Sequence, residues 1–76
     1  MIKVPVLLDS VDKVGDLVRI LSKYRARVDM NGSTGTVDAR SVLGVFSIDL
    51  SEPITLMIEE CAETPRILAD IKKYKV

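Results

Sequence analysis

The chain has 76 residues, 47% of them hydrophobic, and its eleven Lys and Arg balance eleven Asp and Glu. A chain of this length is expected to fold as one small domain over residues 1–76. Because the net charge is zero, no overall field attracts nucleic acid or an anionic membrane, and neither is expected as a partner. The apolar runs are too short to span a membrane, and residues 1–10 lack the features of a signal peptide, so a cytoplasmic location is expected.

Cysteine and histidine usage excludes further classes of site. The chain has one cysteine, Cys61, and no histidine. A single cysteine cannot form an internal disulfide, and without histidine there is no Cys/His metal cluster, so neither a metal nor a cofactor is expected. Cys61 is expected to be a small buried side chain, since no imidazole exists to activate its thiol.

The first two elements follow from apolar periodicity. Alternating apolar residues over about 2–8 predict a strand, and Pro5 places that strand at an unpaired edge or a bulge. Asp9 and Ser10 then offer N-cap oxygens to a helix over about 11–24. Its apolar positions recur at helical spacing and are Val14, Leu17, Val18 and Leu21, with Val11 and Tyr24 extending the stripe at its ends.

The later elements are predicted by alternating apolar residues, turn residues and helix-start residues. Two β-prone runs, at about 26–31 and 34–38, meet at turn residues and predict a hairpin. An alternating run over about 53–60 predicts the fourth strand. A last helix is expected to begin with Thr64 as its cap and Pro65 at its first helical position.

This order of elements predicts an α+β fold, an open-faced β-sandwich in which a four-stranded antiparallel sheet carries its helices on one face. The other face of the sheet is expected to be solvated. Its occupants are the residues that alternate with the inward ones, namely Arg27, Asp29, Thr55, Met57 and Glu59.

The segment 37–50, VDARSVLGVFSIDL, is too short for a full helix and is interrupted by a serine and a glycine. Ser41 is a good N-cap, and residues 42–48 can form about two helical turns. The apolar residues of so short a helix cannot all face inward. Two interpretations stay open: a docking patch exposed beside the capping serine, or a satellite of the core packed under a loop.

Residues 40–47, RSVLGVFS, resemble the signature of the HPr family, the phosphocarrier proteins of the bacterial sugar phosphotransferase system. That signature is a basic residue, Ser, two aliphatic residues or methionine, Gly, an aliphatic residue, a bulky apolar residue and Ser. The order of strands and helices also resembles that family over nearly the whole chain. The resemblance implies that Ser41 corresponds to the serine that an ATP-dependent kinase phosphorylates in many Gram-positive bacteria, beside the basic Arg40. It also implies a partner-docking patch at Val42, Leu43 and Phe46.

The resemblance ends at the residues that carry the family's chemistry. HPr proteins accept a phosphoryl group from enzyme I on a histidine at the start of the first helix, within a Gly-Ile-His-Ala-Arg-Pro-Ala pattern. Here Ser10 takes the place of that histidine, Asp12 that of the arginine and Lys13 that of the proline. A phosphoserine ester is stable where a phosphoimidazole transfers its phosphoryl group, so Ser10 is expected to keep only an N-cap role. Asp12 would repel the incoming phosphoryl group.

Three functions therefore compete. The first is an HPr-like regulator or adaptor without catalytic activity, similar to the relative Crh that also lacks the histidine, and controlled by phosphorylation at Ser41. Its implied partners are proteins: a serine kinase, a regulator or a transporter component. The second is a phosphocarrier with an unusual acceptor, Asp9, Asp12 or Ser10, although neither aspartate is expected to have the metal cluster and lysine that aspartyl-phosphate sites need. The third is an interaction module without a switch.

Overall fold

A computed structural model describes residues 1–33, 35–46, 49 and 51–76, and of Val42 and Leu43 it describes the backbone alone. The described residues form four strands and three α-helices, followed by a 3₁₀ turn at Lys72–Tyr74. None of the helices in this part of the chain is long and apolar enough to cross a membrane. The strands are β1 (Ile2–Val6), β2 (Val28–Gly32), β3 (Gly35–Asp38) and β4 (Ile54–Ile58), and the helices are α1 (Val11–Leu21), α2 (Val42–Phe46) and α3 (Thr64–Ile71).

The four strands form one antiparallel sheet in the order β1-β4-β2-β3. Strand β4 therefore lies between the first strand and the β2–β3 hairpin. The strands are shorter than the alternation predicts, because apolar residues beside them pack into the core from loops, as Leu8 does after β1. The predicted start of the third strand at Thr34 lies outside the described residues.

One face of the sheet is buried and the other is open, as the alternation predicts. Val4, Leu56 and Met30 lie side by side across β1, β4 and β2, and all three are buried against α1 and α3. On the open face the strand residues Asp29, Thr55 and Met57 are half-buried, whereas Arg27 and Glu59, which flank β2 and β4, are exposed. The α+β open-faced sandwich with its helices on one face is thus confirmed.

The free edge of β1 is partly covered by the C-terminal residues. The Leu7 N–H donates to the Tyr74 carbonyl at 3.0 Å, and the Val76 N–H donates to the Pro5 carbonyl at 3.1 Å. These bonds flank an isolated bridge between Val6 and Lys75. Proline at this edge costs no ladder bond, since its missing N–H points away from β4. The predicted edge position of Pro5 is confirmed.

The start of α3 differs from the prediction. The N-cap position is held by Glu63 without a side-chain cap bond, and Pro65 lies in the first turn. Thr64 is instead buried, and its Oγ donates to the Glu59 carbonyl at 2.7 Å and accepts from the Cys61 N–H at 2.8 Å. This hydroxyl closes the loop between β4 and α3. Cys61 itself is exposed, so its predicted burial was wrong.

Helix α1 ends at Leu21, three residues before the predicted end. The N–H groups of Lys23 and Tyr24 bond the carbonyls of Ile20 and Leu21, which makes a tighter turn. Tyr24 still packs against the core from this turn, and its hydroxyl donates to the carboxylate of Asp70 in α3. The apolar stripe therefore located Tyr24 correctly in space but not within the helix.

Glu63 joins the start of α3 to the chain that follows α1. Its Oε1 accepts from the backbone N–H groups of Arg25 at 2.9 Å and Ala26 at 2.8 Å. Ala26 is buried, so its amide has no easy access to water as a substitute.

Replacing Glu63 by Ala is expected to lower the free energy of unfolding by about 1–3 kcal/mol, because the two amides lose their acceptor. Glu63→Gln retains a side-chain oxygen and should keep most of that stability. Urea denaturation of the three proteins measures the difference. Equal stability of the Ala and Gln variants would contradict the role of the acceptor oxygen.

A second long-range cluster ties the 3₁₀ turn to α1. Asp16 accepts a hydrogen bond from the Tyr74 hydroxyl and lies 2.8 Å from Lys73 Nζ. The hydrogen bonds from Lys73 and then Tyr74 hold the pKa of Asp16 below its ordinary value. Burial, followed by the hydrogen bond to Asp16, raises the pKa of Tyr74.

This cluster should make the stability of the protein depend on pH in both the acidic and the alkaline range. The Asp16 contribution is present above the pKa that the carboxyl has in the unfolded chain, about 3.9, and is lost as pH falls through its lower folded value. The Tyr74 contribution is present below its unfolded pKa, about 10, and is lost as pH rises through its higher folded value.

Asp16→Asn is accordingly expected to destabilise the protein at about pH 7 and to approach wild-type stability near pH 2. Thermal unfolding across this range measures the effect. Glu60→Gln, which removes a well-exposed carboxylate from the loop after β4, serves as the control and should show no such convergence. A pH-independent deficit in Asp16→Asn would mean that packing, and not ionisation, explains the loss.

Candidate functional site

The start of α1 is a side-chain cap. Ser10 has extended backbone angles, and its Oγ accepts a hydrogen bond from the Lys13 N–H at 3.3 Å. The Ser10 carbonyl accepts from the Val14 N–H at 3.2 Å. The predicted N-cap role of Ser10 is confirmed, and its side chain is exposed.

The two aspartates beside this cap differ in their surroundings. Asp9 forms an ion pair with Lys13, with 2.7 Å between Oδ1 and Nζ. The hydrogen bond and then the charge of Lys13 lower the pKa of Asp9. The expectation that no lysine supports Asp9 was therefore wrong. Asp12 is exposed and bonds no other described residue through its side chain, and the described residues contain no group of three metal-binding side chains.

The start of α2 is capped in the same way. Ser41 is exposed and lies in no strand, and its Oγ accepts a hydrogen bond from the Gly44 N–H at 3.2 Å. The Ser41 carbonyl accepts from the Val45 N–H at 2.8 Å. The hydroxyl of Ser41 is therefore both a helix cap, as predicted, and accessible from solvent.

The glycine of the 37–50 segment is explained by close packing. A Cβ at Gly44 would lie 3.3 Å from the Cβ of Val37 in β3 and 3.2 Å from Ser41 Oγ. These distances are tighter than most contacts of a Cβ, so a glycine lets α2 approach the strand. The next residue, Val45, is fully buried and anchors α2 to the core.

Arg40 is engaged within the protein, which the sequence did not reveal. Its Nη1 donates to the Tyr24 carbonyl at 2.9 Å, and its backbone N–H donates to Asp38 Oδ1, also at 2.9 Å. Its Nε lies 3.7 Å from the same carboxylate oxygen. The side chain, which is half-buried, therefore connects the turn before α2 to the chain after α1.

Only part of the predicted docking patch can be located. Phe46 is 45% exposed, whereas the side chains of Val42 and Leu43, and the positions of Ser47 and Ile48 in the predicted helix, lie outside the described residues. Exposure of Val42 and Leu43 therefore stays a prediction.

An open groove of about 340 Å³ joins Phe46 to the start of α1. Val11 lies in this groove with 70% of its surface exposed, so its predicted place in the buried stripe was wrong. Val11 is the first residue of α1. Its position directly after the cap residue Ser10 was the feature of the sequence that indicated a place at the end of the helix, outside the packed stripe. Among the residues that the structure describes, those that line the groove are Leu8, Asp9, Ser10, Val11, Phe46 and Ser51.

No protein-family model and no curated protein sequence matches the chain. Solved structures do match it. HPr-C-His from Thermoanaerobacter tengcongensis superimposes with a TM-score of 0.76 at 20% sequence identity, covering 96% of this chain and 92% of that chain. The histidine-containing phosphocarrier protein of Mycoplasma gives a TM-score of 0.73 at 13% identity, with 95% and 86% covered. The chain therefore has the fold of the HPr phosphocarrier proteins.

Proposed function

We propose that this chain is a bacterial, cytoplasmic HPr-like protein related to the phosphoenolpyruvate-dependent sugar phosphotransferase system. In this proposal residues 1–76 act as a single domain that binds protein partners as a regulator or adaptor, as Crh does, and does not transfer phosphate through histidine. The observation that carries the proposal is the start of α1. In a chain with the HPr fold and no histidine, that helix begins at the capping serine Ser10.

The chemistry at this helix start supports binding over phosphoryl relay. The Ser10 Oγ is occupied as a cap acceptor, and an alkyl phosphate formed there would not pass its phosphoryl group onward. The nearby carboxylates Asp9 and Asp12 repel an incoming phosphoryl donor, and only Asp9 has an ammonium beside it.

One observation keeps a second candidate, the phosphocarrier with an acceptor at Asp9, Asp12 or Ser10. Lys13 lies 2.7 Å from Asp9, and a lysine is one of the parts that an aspartyl-phosphate site uses. The other part, a cluster of carboxylates able to hold a metal ion, is not found among residues 1–33, 35–46, 49 and 51–76.

Incubation with radiolabelled phosphoenolpyruvate and enzyme I separates these two candidates. We expect no label on this protein, because it has no imidazole to receive the phosphoryl group. A histidine-containing HPr treated in parallel provides the positive control. An acid-labile label that disappears in Asp9→Asn would contradict the adaptor and support an aspartyl phosphocarrier.

The second part of the proposal is a switch at Ser41, with a partner surface formed by Arg40, Val42, Leu43 and Phe46. Ser41 is an exposed hydroxyl at a helix start, where the positive end of the helix dipole favours an added phosphate. The modification would add a charge of about −1.5 to −2 beside apolar side chains. Such a charge favours partners with cationic surfaces and disfavours purely apolar ones.

A kinase that phosphorylates the serine of HPr proteins is expected to add one phosphoryl group to this chain, and Ser41→Ala should abolish the reaction. Ser10→Ala is the matched control, since Ser10 is also an exposed capping serine. Mass spectrometry of the intact protein and its peptides measures both. Lack of phosphorylation, or its placement outside Ser41, would leave an interaction module without this switch.

A further inference from the structure

The groove between α1 and α2 exposes apolar side chains that are not at the chain termini. Among the described residues, four large hydrophobic side chains are well exposed, and two of them, Met1 and Val76, are terminal. The other two are Val11 and Phe46, which line the same groove above the fully buried Leu8. Two exposed apolar residues on one concave surface are more typical of a contact site than scattered ones are.

The described residues that line this groove, together with their described neighbours in sequence, are acidic, although the whole chain is neutral. Among residues 8–13, 46, 49, 51 and 52 the one cationic side chain is Lys13, which is already paired with Asp9. Hydrogen bonds from the Ser51 side chain and backbone lower the pKa of Asp49. Asp9 lines the groove, and Asp49 accepts hydrogen bonds from the lining residue Ser51. Asp12 and Glu52 are the sequence neighbours of the lining residues Val11 and Ser51, and all four carboxylate residues are exposed.

We propose that this groove binds a basic amphipathic segment of a partner protein, with a bulky apolar side chain between Val11 and Phe46 and Lys or Arg at the acidic rim. The inference rests on the proposed function, since it names the partner chemistry of that docking surface. An acidic partner would meet like charge around the groove, which costs affinity and slows association.

Phosphorylation at Ser41 would act in the same direction. Ser41 and Phe46 lie at opposite ends of α2, a distance of about 7.5 Å at 1.5 Å per residue. This is within the Debye length of about 8 Å at physiological salt. A phosphate at Ser41 would therefore strengthen the negative field that a basic segment experiences.

Two synthetic amphipathic peptides test the inference on the ¹⁵N-labelled, unphosphorylated full chain. Both carry the same Leu and Trp positions, and their polar positions are all Lys in one and all Glu in the other. The Lys peptide is expected to shift the amide resonances of the groove, with an affinity that falls as NaCl is raised. The Glu peptide is expected not to bind there.

Matched variants separate the charge from the apolar contact. Glu52→Lys should weaken binding of the Lys peptide by about fivefold or more, whereas Glu60→Lys, the same change beyond the opposite end of β4, should leave it within about twofold. Val11→Ser should weaken it similarly, whereas Val76→Ser, which alters a valine that is 63% exposed outside the groove, should not.

Equal or tighter binding of the Glu peptide, or equal losses from Glu60→Lys and Glu52→Lys, would overturn the basic-partner inference while leaving a docking groove. Binding by neither peptide, or shifts confined to other surfaces, would remove the groove itself as a docking site. Neither result bears on kinase modification of Ser41, which is measured separately, so failure of this inference and failure of the proposed switch are distinguishable.

Discussion

Burial of one sheet face beneath α1 is the constraint that positions the candidate functional site. The helix must turn the apolar stripe of Val14, Leu17 and Leu21 onto the sheet, and these three side chains are fully or almost fully buried. The buried stripe begins at Val14, so the residues before it at the start of α1 are not enclosed by the core, and Val11 is 70% exposed. Ser10 and Val11 consequently lie at the rim of the core, where a side chain can meet a partner without disturbing the packing.

The same architecture contains two capping serines that differ in the charged residues beside them. Ser10 and Ser41 both accept a hydrogen bond from an N–H three residues later, and both are exposed. Ser10 is flanked by carboxylates, whereas Ser41 follows an arginine whose guanidinium is held by the chain after α1. Two serines with the same capping role therefore lie in different electrostatic surroundings within one fold.

The sequence predicted what depends on local periodicity and missed what joins distant residues. Alternation located the strands, and the caps at Ser10 and Ser41 followed from residue type. The bonds of Glu63 and Arg40 join segments 16 or more residues apart, which no local pattern encodes. The role of Thr64 was predicted wrongly because a threonine before proline is as compatible with a helix cap as with a buried residue that closes a loop. The burial of Cys61 was predicted wrongly because it depends on the conformation of that loop.

The covering of the β1 edge also has a consequence for the order of folding. Strand β1 pairs with β4, and its free edge then receives residues 74–76, so the first strand is completed by the last residues of the chain. The β2–β3 hairpin, by contrast, closes over a short loop. During synthesis β1 must remain unpaired until β4 has emerged, because its contacts are among the most distant in sequence. Until then its apolar residues are available to bind chaperones or to pair wrongly.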